Sequence, residues 1–108
     1  MSMFSKIFRL NSRTFSTVFQ KGLIAFGDYF RMKYVSSSEF KVSIVIPKKL
    51  IKKRVDRNRE KRRITHLLKE CIFTDTHYYY IFWLTKDSQK LSSKELKDFL
   101  QKLLKKQR

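Results

Sequence analysis

The sequence has few of the residues that build disulfides, metal sites and phosphate-binding loops. Its 108 residues include one cysteine, two histidines and two glycines. Cys71 therefore cannot form an internal disulfide, no Cys/His cluster has zinc spacing, and two glycines are too few for a glycine-rich phosphate loop. These shortages favour a cytoplasmic protein that has no metal site of its own.

Long apolar runs are missing as well. No stretch approaches 18 apolar residues, so the sequence predicts no membrane-spanning helix and no membrane partner. The segment Met1–Leu10 carries Lys6 and Arg9 among its apolar side chains and contains no apolar core followed by small residues. We therefore expect no signal peptide.

Acidic residues are heavily outnumbered. Lys and Arg number 26 against 9 Asp and Glu, which gives a formal net charge of +17. Charge of this size destabilises a compact chain unless a polyanion neutralises it, so we expect a polyanionic partner. A content of 42% hydrophobic and 15% aromatic residues is too apolar for a disordered basic tail. The sequence therefore predicts one folded domain over residues 1–108.

The scarcity of carboxylates also bears on catalysis. The nine acids are scattered and form no DxD or ExxE cluster that could hold paired metal ions. The residue types allow a dyad of His66 or His77 with a serine or cysteine, but satisfied or exposed histidines are much commoner. We assign no catalytic and no metal-binding residue to the chain, which disfavours an autonomous nuclease.

The first half of the chain predicts one helix and three strands. Asn11 precedes apolar residues at helical spacing, and Gly22 ends that pattern. The second strand alternates apolar residues on one face with Arg31 and Lys33 on the other. The predicted strands are Leu23–Phe26, Tyr29–Val35 and Phe40–Ile46.

The second half predicts a helix, a strand and a helix. Asp56 is the expected N-cap of the first of these helices, whose C-terminal half carries an apolar stripe. The apolar run Tyr78–Leu84 suits an interior strand, and Ser92 with Glu95 forms a capping box for the last helix. The order α-β-β-β-α-β-α predicts an α/β fold, a two-layer sandwich of a small mixed sheet with three helices.

A dense basic stretch occupies the region before and within the second helix. From Lys48 to Arg63 there are ten basic and two acidic residues, a net charge of +8. A solvated helix face usually mixes charges of opposite sign, but Arg57 and Lys61, and likewise Arg59 and Arg63, are like-charged pairs at i,i+4 spacing. This density favours phosphate binding.

Helical geometry separates the basic residues into two sets. Asn58, Arg59 and Arg62 lie on the outer face, whereas Arg57 and Lys61 lie on the side of the apolar stripe, before its first apolar member. The N-terminal half of this helix has no apolar anchor. We expect its C-terminal half to hold it and the rest to project as a basic arm suited to a folded RNA.

A second candidate surface combines aromatic and basic side chains. Phe15 and Phe19 are one turn apart on the first helix, and Arg31 and Lys33 lie on the face of the sheet opposite the core. If the helix borders that face, these four residues form a groove for a single strand. The alternative is that both rings belong to the core, which is the commoner position for two phenylalanines one helical turn apart.

One motif resembles a known family. The run Pro47-Lys48-Lys49, followed after seven residues by Arg57-Asn58-Arg59-Glu60-Lys61-Arg62, is similar to the RNR signature of the bacterial ribonuclease P protein subunit. The pattern Phe15-x-x-x-Phe19-x-x-Gly22, a strand centred on Phe30 and a closing strand followed by a leucine-rich helix resemble the same family in the same order. The resemblance covers nearly all of the chain.

The resemblance implies a small basic subunit, paired 1:1 with the catalytic RNA of ribonuclease P, that helps this ribozyme remove the 5′ leader of precursor tRNA. It implies that hydrolysis belongs to the RNA and to Mg²⁺ bound mainly by the RNA, and that the βαβ crossover is left-handed. It implies a cleft for the leader at Phe15, Phe19 and the exposed side of the sheet, where strand alternation also places Arg31 and Lys33. The implied ribozyme contacts are Lys48, Lys49, Lys52, Lys53, Arg54, Arg57, Asn58, Arg59, Lys61 and Arg62.

A different class of function stays open at this point. A structural RNA-binding protein of the ribosomal type would need only the basic arm, whereas a processing subunit also needs a groove for a substrate strand. Lys33 stands where the family resemblance leads us to expect an aromatic cleft residue, so we expect leader binding here to depend more on charge.

Overall fold

The computed structural model describes residues 10–72 and 77–106. The expectation of no signal peptide concerns a segment of which all but Leu10 lies outside these ranges. Within them, no helix has the length and apolar character needed to cross a bilayer. The elements are α1 (Ser12–Lys21), β1 (Leu23–Phe26), β2 (Phe30–Ser36), β3 (Lys41–Val45), α2 (Arg54–Cys71), β4 (Tyr78–Leu84) and α3 (Ser93–Leu104).

The four strands form one mixed sheet in the order β1-β2-β4-β3. Strand β4 pairs antiparallel with β2 and parallel with β3, which confirms its predicted interior position. Because β3 and β4 are adjacent and parallel, β3, α2 and β4 form a βαβ unit. The left-handed path of this unit stays a prediction from the resemblance.

One face of the sheet carries the main core. Phe30, Met32 and Tyr34 of β2 are 6% exposed or less and pack with Phe82 of β4 and Leu100 of α3, among other buried residues. The alternation in the sequence predicted this face correctly. Helices α2 and α3 cover it, which gives the two-layer sandwich.

Helix α1 lies on the other face of the sheet, where it contacts β2 and β4. Val18 of α1 and Ile81 of β4 are both fully buried, yet neither belongs to the main core. Both lie where α1 packs against the sheet, since α1 contacts β4. The predicted N-cap is confirmed, since the Asn11 side chain accepts a hydrogen bond of 2.8 Å from the Thr14 N–H.

Gly22 ends α1 for a reason of space. Its φ of −69° is open to any residue, and its N–H donates to the Val18 carbonyl at 2.8 Å. A Cβ at this position would lie 2.6 Å from that carbonyl oxygen and 3.1 Å from the carbonyl oxygen of Tyr34 in β2. Only glycine therefore lets the chain turn this tightly from α1 into the sheet.

Two predicted boundaries need correction. Tyr29 was predicted as a strand residue but has φ 68°, in the left-handed region, so it belongs to the turn before β2. The prediction that Asp56 caps α2 is wrong, because the helix begins at Arg54 and Lys53 is its N-cap without a side-chain bond. Asp56 lies in the first turn, where its carboxylate faces the positive end of the helix dipole.

The start of α3 matches its prediction in detail. The Ser92 side chain accepts a bond from the Glu95 N–H, and the Glu95 carboxylate accepts one from the Ser92 N–H, at 3.2 and 3.1 Å. This capping box fixes the last helix where Leu96, Leu100 and Leu103 are fully buried against the sheet and α2. Helix α3 therefore begins at a fixed position and packs against α2.

Candidate nucleic-acid interface

The segment between β3 and α2 displays its cations outward. Its backbone turns at Pro47, whose carbonyl accepts a bond of 3.1 Å from the Leu50 N–H, and Ile51 is 2% exposed. The buried Ile51 attaches this turn to the core, while the charged residues around it stay in contact with solvent. Those exposed residues are Lys48, Lys49, Lys52, Lys53 and Arg54.

The outer face of α2 continues this basic surface. Asn58, Arg59 and Arg62 are all exposed, as helical geometry predicted. Arg59 pairs with Asp56 at 3.4 Å, but its side chain is 68% exposed. A surface pair of this kind is worth at most about 1 kcal/mol, so it does not hold the guanidinium away from a phosphate.

Arg57 has a role inside the protein as well. Its Nη1 donates hydrogen bonds to the carbonyls of Ile51 and Lys52, at 3.0 and 2.8 Å. These bonds tie the first turn of α2 to the loop before it. A guanidinium has five N–H donors, and the two on Nη1 suffice for both bonds, so the same side chain can also bind phosphate.

The N-terminal half of α2 is anchored, contrary to our expectation of a free basic arm. Glu60 is 5% exposed. Arg63 holds its carboxylate with bonds of 3.1 and 2.7 Å, and the Ser88 hydroxyl donates to the same carboxylate. Arg63 also donates to the carbonyls of Ser88 and Leu91, at 2.8 and 2.7 Å. In the sequence, Glu60 and Arg63 look like an ordinary surface pair, so this anchor was missed.

The second surface is a groove between α1 and the exposed face of the sheet. Phe15 and Phe19 stack at 6.3 Å between ring centroids, and Phe19 stacks on Trp83 of β4 at 5.8 Å. The Lys33 ammonium lies 4.1 Å from the Phe19 centroid and 6.0 Å from that of Trp83, and it donates to the Phe19 carbonyl. We call Phe15, Phe19, Lys33 and Trp83 the aromatic groove.

Exposure shows that the groove rings are not core residues. Phe19 is 48% exposed, while its neighbour Val18 is fully buried. Val18 therefore attaches α1 to the sheet and leaves the Phe19 ring at the surface. Phe15, Lys33 and Trp83 are half-buried. The cation beside two stacked rings is the arrangement that binds unpaired bases and the phosphates between them.

Trp83 is the functional candidate that sequence reasoning missed. The run Tyr78–Leu84 is apolar throughout, so alternation gives no sign of which residues face outward. Its pairing with β2 decides this, since Trp83 lies opposite Arg31, on the face away from the core. The aromatic ring that we expected at position 33 is thus provided by the neighbouring strand.

Arg31, the fourth predicted groove residue, lies on the same face but points toward the edge of the sheet. It is exposed, and its guanidinium carbon lies 5.3 Å from the centroid of the Phe26 ring in β1. The structure therefore brings Phe15, Phe19 and Lys33 together and places Arg31 beside them, one strand nearer the edge.

Titratable groups elsewhere on α2 are separate from both surfaces. Near its C-terminus, a hydrogen bond and charge attraction from Lys97, at 3.1 Å, lower the pKa of the exposed Glu70. Burial raises the pKa of the Cys71 thiol. Within residues 10–72 and 77–106, no three His, Cys, Asp or Glu side chains are placed to hold a metal ion.

Comparison with known proteins adds independent findings. The sequence model of the family described as Ribonuclease P matches residues 4–108. The ribonuclease P protein of Thermotoga maritima superposes with a TM-score of 0.79 at 21% identity, over 93% of this chain and 97% of its own. A second solved structure is a mutant of the Staphylococcus aureus ribonuclease P protein, described as defective in mRNA degradation activity. It superposes with a TM-score of 0.80 at 21% sequence identity, over 93% of this chain and 87% of its own. A search of curated proteins found no match.

These solved structures share the arrangement of three helices and a four-stranded mixed sheet in the order α-β-β-β-α-β-α. The fold class predicted from the sequence is therefore confirmed. At 21% identity the superposition shows that the fold is shared. The match of the family's sequence model over residues 4–108 shows that the chain is a member of the family.

Proposed function

The chain belongs to the ribonuclease P protein family, and from this premise we propose that it binds the catalytic RNA of ribonuclease P and the 5′ leader of precursor tRNA. Proteins of this family are subunits of an endoribonuclease ribonucleoprotein that processes tRNA. The observation that carries the proposal is the coexistence of two different surfaces in one small fold, a basic one on α2 and the aromatic groove.

In this proposal the basic surface binds the ribozyme. The cations of the turn and the outer face of α2 supply phosphate contacts, which give affinity without sequence readout. The Glu60–Arg63 pair attaches α2 to the loop before α3, so these cations meet a folded RNA as a fixed set. A fixed set loses less conformational entropy on binding than the free arm that the sequence suggested.

The aromatic groove takes the leader. Phe19 and Trp83 offer π-faces to unpaired bases, and Lys33 offers a charge to the phosphates between them. Stacking tolerates any base, which suits a leader whose sequence differs from one tRNA to another. The protein thus extends the substrate-binding surface of the ribozyme beyond the tRNA body.

The chemistry is assigned to the RNA. We propose that the Mg²⁺ needed for hydrolysis is bound mainly by the RNA, a proposal that the scattered placement of the chain's nine acids supports. The chain's own residues bind, orient and hold the leader in place. We further propose a 1:1 complex with the RNA, in the cytoplasm.

The test compares two neighbouring residues of α1 in the reconstituted holoenzyme. Phe19→Ala should weaken binding of precursor tRNA by about 1–3 kcal/mol, leave mature tRNA binding unchanged and leave the melting temperature nearly unchanged. Val18→Ala is the matched control. It should cost about 2 kcal/mol of stability, because Val18 is fully buried, without selecting against the leader.

If Phe19→Ala instead lowers the melting temperature strongly and weakens binding of precursor and mature tRNA equally, the Phe19 ring serves packing and not leader binding. The alternative function, a structural RNA-binding protein of the ribosomal type, makes a different prediction. RNA copurified with the chain would then be ribosomal RNA, and no variant of the aromatic groove would discriminate between leader-bearing and mature tRNA.

A further inference from the structure

Strand β1 is an open edge of the sheet with exposed apolar side chains. Leu23, Ile24 and Phe26, three of its four residues, are between 41% and 64% exposed. We propose that this edge is a docking site for a protein partner, which adds an extended segment of alternating apolar and acidic residues to the sheet as a further strand. The inference is independent of the RNA-binding roles proposed above.

The two edges of the sheet are protected to different degrees. At one edge, β3 has no exposed residue, and α2 packs on it. At the other edge, only Ala25 of β1 is buried, and none of the four residues is charged. Edge strands usually carry a charge or lie under another element, because an open edge pairs readily with a second chain. The β1 edge is therefore the side of the sheet at which a strand can be added.

The register determines which backbone groups of β1 point outward. The Gly27 N–H donates to the Phe30 carbonyl at 3.0 Å, which makes these two residues a hydrogen-bonded pair. Bonded and non-bonded pairs alternate along antiparallel strands. Ala25 is therefore bonded to β2, whereas Ile24 and Phe26 direct their N–H and C=O groups to the open edge. These groups are the donors and acceptors that a further strand requires.

One of the outward carbonyls already accepts a hydrogen bond from outside the sheet. The ammonium of Lys106, which follows α3, donates to the Phe26 carbonyl. This bond agrees with the outward direction of that carbonyl. The N–H of an added strand would take the place of the ammonium, which could then pair with an acidic side chain of the same strand.

The charges around this edge favour an acidic segment. The Arg31 guanidinium carbon lies 5.3 Å from the centroid of the Phe26 ring. Lys102 and Lys106 line a shallow depression beside the same ring, together with the acid Asp28. Successive side chains of a strand point to opposite faces. A segment that alternates acidic and apolar residues can therefore bring acids to these cations and cover the exposed apolar side chains of β1.

Two other occupants fit the edge less well. A second copy of a chain with a net charge of +17 would bring like charges together, which costs association energy. RNA offers phosphate oxygens as acceptors, but its backbone has no N–H groups for the outward carbonyls of Ile24 and Phe26. An extended peptide supplies donors and acceptors at the spacing of the ladder.

The probe is a fluorescently labelled synthetic hexapeptide of alternating glutamate and valine, whose binding to the holoenzyme is measured by fluorescence anisotropy. Ile24→Pro removes one outward N–H and leaves the bonds to β2 in place, because Ile24 belongs to a non-bonded pair. It should weaken binding of the probe by about 2- to 10-fold, the effect of one lost hydrogen bond. Val55→Ala is the control, since Val55 is 65% exposed but lies on α2, and it should leave the affinity unchanged.

Two further measurements need no substitution in the protein. A hexapeptide of the same charge with every amide N-methylated has no N–H donor, so it should bind at least about tenfold more weakly. In the full chain, the Ile24 and Phe26 amides should exchange their hydrogens quickly and become protected when the probe is added, whereas the Ala25 amide should be protected throughout.

Equal affinities of the two peptides, or unchanged exchange at Ile24 and Phe26, overturn the inference. If Ile24→Pro weakens binding of precursor tRNA and not of the peptide, the edge is an RNA surface. If the chain dimerises and Ile24→Pro abolishes the dimer, a second copy is the occupant. Either result also overturns the inference, and neither bears on Phe19→Ala, which tests the proposed function separately.

Discussion

Arg63 donates two hydrogen bonds to the Glu60 carboxylate on the inner side of α2. Its Nε lies 3.1 Å from Oε1 and its Nη2 lies 2.7 Å from Oε2. The contact joins two residues of the same helix turn, yet it also fixes α2 to the loop before α3 through Ser88 and Leu91. In a chain with so large an excess of cations, one of the few carboxylates is thus used inside the protein.

Loss of this pair should destabilise the fold. Glu60→Ala leaves Arg63 partly buried without its counter-charge, which should cost about 3 kcal/mol in the free energy of unfolding, measured by urea denaturation. Asp56→Ala makes the same charge change on the same helix but removes only the surface pair with Arg59 and the favourable interaction with the helix dipole, so it should cost about 1 kcal/mol. Equal effects of the two substitutions would show that Glu60 is not an anchor.

Arg62 and Arg57 should differ in a way that separates RNA contact from internal support. Arg62→Ala should weaken ribozyme binding, reduce the log–log salt slope by about 0.7–0.9 and leave stability within about 0.5 kcal/mol of wild type. Arg57→Ala should also lose about 1–2 kcal/mol of stability, because its bonds to the Ile51 and Lys52 carbonyls disappear. An unchanged salt slope in both variants would remove α2 from the interface.

The single tryptophan provides a direct optical test of the aromatic groove. Since Trp83 is the only tryptophan in the chain, its fluorescence reports on this surface alone. A base stacked on the ring should quench the emission, so titration of the holoenzyme with leader-bearing precursor tRNA should lower it, whereas mature tRNA should not. Identical titration curves for the two tRNAs would exclude Trp83 from leader binding.

The Cys71 thiol should react slowly with alkylating reagents in the native protein. Burial raises the pKa of Cys71 from its ordinary value of 9.0, so the native protein has less thiolate at pH 8 than an unfolded chain. Alkylation by iodoacetamide should be slower in the native state than in urea. Because the folded state holds this proton more tightly, the thiol's contribution to stability is present below pH 9 and is lost as the pH rises through the folded pKa. Equal alkylation rates would contradict the shift.

The sequence by itself determined the local features of this protein. The cap at Asn11, the glycine stop at Gly22, the alternation in β2 and the capping box of α3 each depend on residues within a few positions of one another. Local sterics and hydrogen bonding dictate such features wherever the segment lies in the fold. Asp56 shows the limit of this reasoning, since an acid near the start of a helix can stabilise it without being its cap.

Only the tertiary structure decided how distant segments meet. The position of β4 between β2 and β3 turns Trp83 outward, and the packing of α1 by Val18 brings Phe19 onto it. The anchoring of α2 likewise depends on Ser88, which is 28 residues from Glu60 along the chain. The charge and periodicity of a segment indicate what it can bind. Which side chains share a surface depends on strand order and register, and non-local packing sets both.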